Sequence, residues 1–334
     1  MKAFIRMGML LGWLFWAESC QGQPANIAKP TEPMPIHIER FDQALLEMIE
    51  AGDTAMGKKL LDVYPYELEI VGKGVLNMQS PTVPGFFERL IRYYSEPTLK
   101  HLYEEAVTKY ADVSDIEAQL GQAFAFLKAN FPEMQIPAVY MHVSGFNQNV
   151  LVGDSLLSLS IDKYMGESYP LYQAFFPDYQ RIKMQRTRVA ADYLTGWLMS
   201  EYPFEGNESV LLDRMLYEGK IKYIVSLALP ELSPAQLMGY TEAEYAWCEA
   251  HEKTLWSTII ERKHLYTPDR LTTEKYLRDT PCIFLSDETP GNVGTWIGWR
   301  IISSYMQEVK PTLPALMNQA NAQELLAAAK YRIG

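Results

Sequence analysis

The sequence predicts an α+β fold that is predominantly helical, with a small antiparallel sheet surrounded by helices. Apolar residues recur at helical spacing over most of the chain, whereas alternating residues that favour β-strands occur only between residues 138 and 161. Helices that precede and follow a small sheet are typical of α+β proteins. No internal repeat or flexible linker divides residues 36–334, so we expect them to form a single globular domain.

The N-terminus carries the pattern of a secretory signal. Lys2 and Arg6 precede an apolar core of 11 residues, residues 7–17, and Cys20 follows the small residue at position 19. At about 1.5 Å per residue this core is too short to span a bilayer interior of ~30 Å. We therefore expect residues 1–19 to be removed and acyl chains to be attached to Cys20. An ordinary signal peptide that leaves Cys20 unmodified is the alternative.

The segment after the cysteine resembles a tether. Residues 20–35 include four prolines and few large apolar groups, which favours a semi-extended chain. No later stretch approaches 18 apolar residues, so the lipid on Cys20 would be the contact with a membrane. The sequence thus predicts a membrane-anchored lipoprotein of the cell envelope. Because no acidic run follows Cys20, we expect it to face the periplasm.

Helices and strands follow in a clear order. The first predicted helix opens at Arg40-Phe41-Asp42, and Ser114 and Glu117 have the spacing of a capping box at the start of another. Strands are predicted within residues 138–146 and 149–161, with chain reversals at residues 145–147 and 153–154, which favours antiparallel pairing. The remaining helices are predicted over residues 84–110 (interrupted near Pro97), 183–201, 208–229, 242–263, 272–278, 296–308 and 322–329.

Composition and charge exclude several classes of protein. Hydrophobic residues make up 48% and charged residues 21%, which are ordinary globular values and exclude a disordered or collagenous chain. The net charge of -11 argues against nucleic acid as a partner, because phosphate binding needs clustered Lys and Arg. Three cysteines are too few for a disulfide scaffold. Cys248 and Cys282 are predicted to be buried thiols, although a disulfide between them stays open.

The chain lacks the common motifs of hydrolases and nucleotide-binding proteins. No two of its five histidines are four residues apart, so it has no His-Glu-x-x-His zinc motif. It also has no Gly-x-Ser-x-Gly elbow, Walker loop or dinucleotide fingerprint. The sequence therefore predicts no cofactor and no catalytic residue. A metal site assembled from distant residues is the alternative.

Two sets of residues are candidates for a site. Arg188 and Asp192 are four residues apart on one predicted helix, and Glu218 lies on the next. They form either exposed helical ion pairs or a polar cluster between two packed helices.

The second set is rich in glycine and tryptophan. Gly294, Trp296, Gly298 and Trp299 follow Pro290, and predict an aromatic-packed helix start. The alternative is a stacking platform for glycan or peptide in a cleft.

Several segments together resemble the gliding motility-associated lipoproteins of the GldB family of Bacteroidota. The resemblance rests on segments spread through nearly the whole mature chain: Cys20, Arg40-Phe41-Asp42, Phe131-Pro132, residues 162–166, residues 215–220, Trp247-Cys248, Glu252 with Trp256, and residues 290–299. It implies an envelope lipoprotein associated with gliding and its linked protein-secretion apparatus, with envelope proteins as partners.

A remoter similarity connects the chain to zincin-type metallopeptidases. In those enzymes a helix with paired histidines precedes a helix with a Glu-Gly step, which Glu218 and Gly219 match. Residues 188–192 have the spacing of the histidine pair but neither its imidazoles nor its glutamate. The similarity implies a degenerate zincin-like fold and a pseudoenzyme, because nothing there would hold zinc or activate water.

Two functions are consistent with these observations. The first is a non-catalytic envelope lipoprotein that contacts partner proteins of a motility or secretion assembly. The alternative is a peptide or glycan hydrolase that uses Glu218 and a second carboxylate in a cleft near Trp296.

Overall fold

The structure is a computed structural model that describes residues 27–331. The predicted signal peptide and Cys20 lie outside the described residues. The described helices are α1 (Phe41–Ala51), α2 (Met56–Val63), α3 (Pro65–Ile70), α4 (Phe86–Tyr94), α5 (Pro97–Lys109), α6 (Ser114–Asn130), α7 (Pro170–Phe175), α8 (Asp178–Arg181), α9 (Val189–Glu201), α10 (Leu211–Ala228), α11 (Pro234–Met238), α12 (Glu242–Glu261), α13 (Arg270–Leu277), α14 (Val293–Glu308), α15 (Leu313–Asn318) and α16 (Ala322–Ala329).

A four-stranded sheet lies among these helices, which confirms the predominantly helical α+β class. Its strands are β1 (Ile38–Glu39), β2 (Ala138–His142), β3 (Val150–Gly153) and β4 (Leu156–Ser160), in the spatial order β1-β2-β4-β3. The predicted reversal at residues 153–154 joins β3 and β4 as an antiparallel pair. The β1–β2 and β2–β4 pairs are parallel, so the prediction of an antiparallel sheet is wrong for them.

Burial explains why β4 occupies an interior position of the sheet. All five residues of β4 are buried, so the backbone N–H and C=O groups along both of its edges need hydrogen-bond partners from other strands. The chain from β2 must then pass beyond β4 to form β3 before it returns. This detour supplies the crossover that a parallel β2–β4 pair requires.

The start of α6 differs from the predicted capping box. The helix begins at Ser114, whose backbone N–H donates to Asp112 at 2.9 Å. The Glu117 carboxylate instead accepts the backbone N–H of Ile38 at 2.8 Å. Glu117 therefore joins α6 to the edge strand β1, which otherwise has an unpaired donor.

Part of the predicted tether is packed against the folded body. The Asn130 side chain exchanges two hydrogen bonds with the backbone of Ala28, at 3.0 and 2.9 Å. The Met34 N–H donates to the carbonyl oxygen of Gly121 at 3.0 Å. A Cβ on Gly121 would lie 2.4 Å from the Met34 oxygen, so this contact depends on glycine. The chain thus contacts the folded body at Ala28 and Met34, while residues 28–33 and 35 are exposed, and the tether over residues 20–35 stays a prediction.

The helical core forms around α10 and α14, which pack side by side. Helix α9 lies between α10 and the β3–β4 hairpin, and α16 covers α14. Within residues 27–331, no helix has both the length and the apolar character needed to cross a bilayer.

Candidate functional site

A polar cleft of about 440 Å³ lies beside α9 and α10. We call it the α9–α10 cleft. Its charged lining residues are four cations and two carboxylates: Lys163, Lys183, Arg188, Lys222, Asp192 and Asp279. It is a local concentration of positive charge in a chain whose net charge is -11.

Arg188 and Asp192 meet in this cleft. The Arg188 guanidinium donates to Asp192 Oδ1 at 2.9 Å and to the backbone carbonyl of Leu237 at 3.1 Å. The buried Tyr164 hydroxyl donates to Asp192 Oδ2 at 2.7 Å. Burial and the nearby Asp192 carboxylate raise the pKa of Tyr164 well above its usual value, so Tyr164 keeps this proton. The pair therefore joins α9 to the segment around α11.

Glu218 has different partners. Its Oε1 accepts from Arg214 on the same helix at 3.0 Å, and its Oε2 contacts the Thr295 hydroxyl on α14. The structure thus brings Arg188 and Asp192 together, but it does not bring Glu218 into contact with either of them. Lys222, one turn farther along α10, interacts electrostatically with all three.

Gly219 and Gly298 lie where α10 and α14 cross. A Cβ on Gly219 would lie 2.4 Å from the carbonyl carbon of Gly298. A Cβ on Gly298 would lie 1.8 Å from the backbone oxygen of Met215. Both distances are far below a van der Waals contact, so these residues allow the two backbones to approach. Gly294 similarly lets α14 approach Leu277 on α13, where a Cβ would lie 2.8 Å from a methyl group.

The two tryptophans of α14 belong to the interior. Trp296 is fully buried and Trp299 is half-buried against the core. A stacking platform needs an exposed ring face, so the interpretation of Trp296 as a platform is wrong. The aromatic-packed helix start is the arrangement that the structure contains.

A buried polar cluster between α3 and the sheet was not predicted from the sequence. The Ser158 hydroxyl on β4 donates to Glu67 Oε1 at 2.6 Å, and His142 Nδ1 on β2 lies 2.7 Å from the same hydroxyl. Glu67 Oε2 and His142 Nε2 are buried without a partner among the described residues. The sequence shows only a lone histidine and a serine within apolar strands. These two residues do not identify Glu67 on α3 as their common partner.

Burial controls the protonation of this cluster. It raises the pKa of Glu67 from 4.5 to about 8 and lowers the pKa of His142 from 6.5 to about 3. At neutral pH both side chains are therefore uncharged in the folded protein, which agrees with the high cost of an unpaired buried charge.

We expect Glu67→Gln to change how stability depends on pH. The pKa of Glu67 is higher in the folded protein than in the unfolded chain. Its contribution to the free energy of unfolding is therefore fully present below pH 4.5 and is lost as pH rises towards about 8. The stability of Glu67→Gln relative to the wild type should therefore increase by about 1.4 kcal/mol per pH unit in that window. Urea unfolding at several pH values measures it.

Glu50→Gln, an exposed change of the same kind on α1, is the control. It should follow the wild type throughout this pH range. Equal pH profiles for Glu67→Gln and the wild type would contradict the assignment of a protonated Glu67.

The two cysteines within residues 27–331 are buried thiols, as predicted. Cys248 and Cys282 are free, and burial raises the pKa of each thiol to about 12. They therefore do not form a disulfide with each other, and neither has the lowered pKa of a nucleophile. Within residues 27–331, no three His, Cys, Asp or Glu side chains are grouped so that they could hold a metal ion.

The chain matches a known protein family over nearly its whole length. A family model described as "Gliding motility protein GldB" matches residues 23–333, a range that includes every helix and strand described above. No curated protein and no solved structure matches the chain.

Proposed function

Because the chain belongs to the family of the gliding motility protein GldB, we propose that it is a cell-envelope lipoprotein that acts in gliding motility or the linked protein-secretion machinery. The observation that carries this proposal is the family match over residues 23–333. A bacterial source in the Bacteroidota and a degenerate zincin-type ancestry are part of the proposal.

The anchor of this lipoprotein is the lipid on Cys20, after removal of residues 1–19. Asn130 holds the backbone at Ala28, so eight residue steps separate the lipid from the folded body. At about 3.5 Å per residue, this segment reaches at most about 28 Å. The end of α6 at Asn130 is therefore held close to the membrane surface, on the periplasmic side.

The role is one of protein contact rather than catalysis. Glu218, the candidate catalytic carboxylate, is bound by Arg214 and Thr295. Arg188 and Asp192 are bound to each other and to neighbouring groups. These hydrogen bonds join helices, and a general base would instead need to face a substrate. The contacts therefore support a binding protein over a hydrolase.

Cross-linking in living cells tests this proposal. A tagged wild-type chain should retain specific envelope proteins after membrane solubilisation and affinity capture. The tagged Cys20→Ala chain is the control, because its body is unchanged and only its attachment differs. Recovery of no envelope protein above the level in untagged cells would contradict the proposal.

A further inference from the structure

Two of the cations in the α9–α10 cleft form no ion pair with the described residues. Lys183 is paired with Asp279 at 2.5 Å, and Arg188 is paired with Asp192. Asp192 and Glu218 attract Lys222, and Asp162 attracts Lys163, but neither lysine is within ion-pair distance of a carboxylate in residues 27–331. With four cations and two carboxylates, the charged lining of the cleft has an excess of positive charge.

Burial makes the charge of both lysines costly. Burial, followed by the charge of Arg188, lowers the pKa of Lys222 to about 8. Burial lowers the pKa of Lys163 too, although its position over the ring of Phe176, 4.4 Å from the centroid, favours the charged form. An anion bound in the cleft would offset the lost hydration of these lysines and the repulsion between Lys222 and Arg188.

We propose that the α9–α10 cleft binds a small ligand through a doubly charged phosphate or dicarboxylate group, which the cations of its lining, Lys163 and Lys222 among them, attract. The apolar part of the ligand contacts the methionines of the lining, Met184, Met199 and Met238. A volume of about 440 Å³ is typical of a small-molecule site. This inference does not depend on the proposed role in motility.

Calorimetric titration of the purified full chain tests the site with three probes at constant ionic strength. The probes are inorganic phosphate, succinate and dihexanoyl phosphatidic acid. We expect saturable binding of at least one, and we expect Lys222→Met to weaken it by about tenfold or more. Lys59→Met, which removes an exposed lysine from α2, should bind like the wild type.

The probes also identify the chemical class of the ligand. Tightest binding of succinate assigns the site to a dicarboxylate, and tightest binding of phosphatidic acid assigns it to a lipid headgroup. Tightest binding of inorganic phosphate assigns it to a soluble phosphate compound.

Failure of all three probes to saturate the wild-type protein below roughly 20 mM would overturn the proposal. Unchanged affinity in the lysine variants would do so too. Lys163→Met provides the second variant, so the test does not depend on the folding of Lys222→Met.

Discussion

Gly298→Ala lowers the free energy of unfolding by about 3 kcal/mol or more. The expected loss is large because the new Cβ would lie 1.8 Å from the Met215 backbone oxygen. A backbone atom cannot rotate away as a side chain can, so α10 and α14 must separate. Their separation would weaken the packing of fully buried residues such as Trp296. Chemical unfolding of the purified variant measures this effect.

Gly74→Ala is the matched control for Gly298→Ala. Gly74 is exposed, and its new Cβ would meet Leu151 at an ordinary contact distance of 3.5 Å. Its effect should stay within about 1 kcal/mol of zero. If the two alanine variants were equally stable, the close crossing of α10 and α14 would not exist in solution.

Cys20→Ala should move the protein from the membrane fraction to the soluble periplasmic fraction. Each buried methylene contributes ~0.8 kcal/mol to membrane binding, so the loss of two or three acyl chains removes nearly all of the anchoring energy. No helix in residues 27–331 could replace it by spanning the bilayer. Fractionation followed by immunoblotting measures the shift.

Cys248→Ala is the control for this experiment, because it removes a buried thiol and leaves the N-terminus unchanged. It should stay in the membrane fraction. Retention of Cys20→Ala with the membranes at the wild-type level would show that lipid on Cys20 is not the anchor.

Local patterns in the sequence predicted much of the fold. Helix α16 has the predicted bounds, and α12 differs from its prediction only at its end. The reversal between β3 and β4 was also predicted, because hairpins leave a signal in adjacent residues. Parallel pairing of β2 with β4 leaves no such signal, since it depends on segments that are distant in the chain.

In the candidate site, too, contacts between residues near in sequence were predictable and contacts between distant segments were not. The spacing of Arg188 and Asp192 predicted their ion pair, because residues four apart on a helix are neighbours. Glu218 is four residues from both Arg214 and Lys222, so spacing alone does not decide which of them it pairs with. Only the packing of α14 places Thr295 beside Glu218. Likewise, the sequence places Gly298 in a segment rich in glycine and tryptophan, but only the nearby backbone of α10 explains its role.

Complementation of a deletion strain tests the central claim, a non-catalytic lipoprotein of the motility or secretion machinery. Surface gliding and protein secretion should be lost on deletion of the gene, and both should be restored by the wild type and by Glu218→Gln. Cys20→Ala should restore neither. Unchanged gliding and secretion after deletion, or rescue by Cys20→Ala but not by Glu218→Gln, would contradict the account.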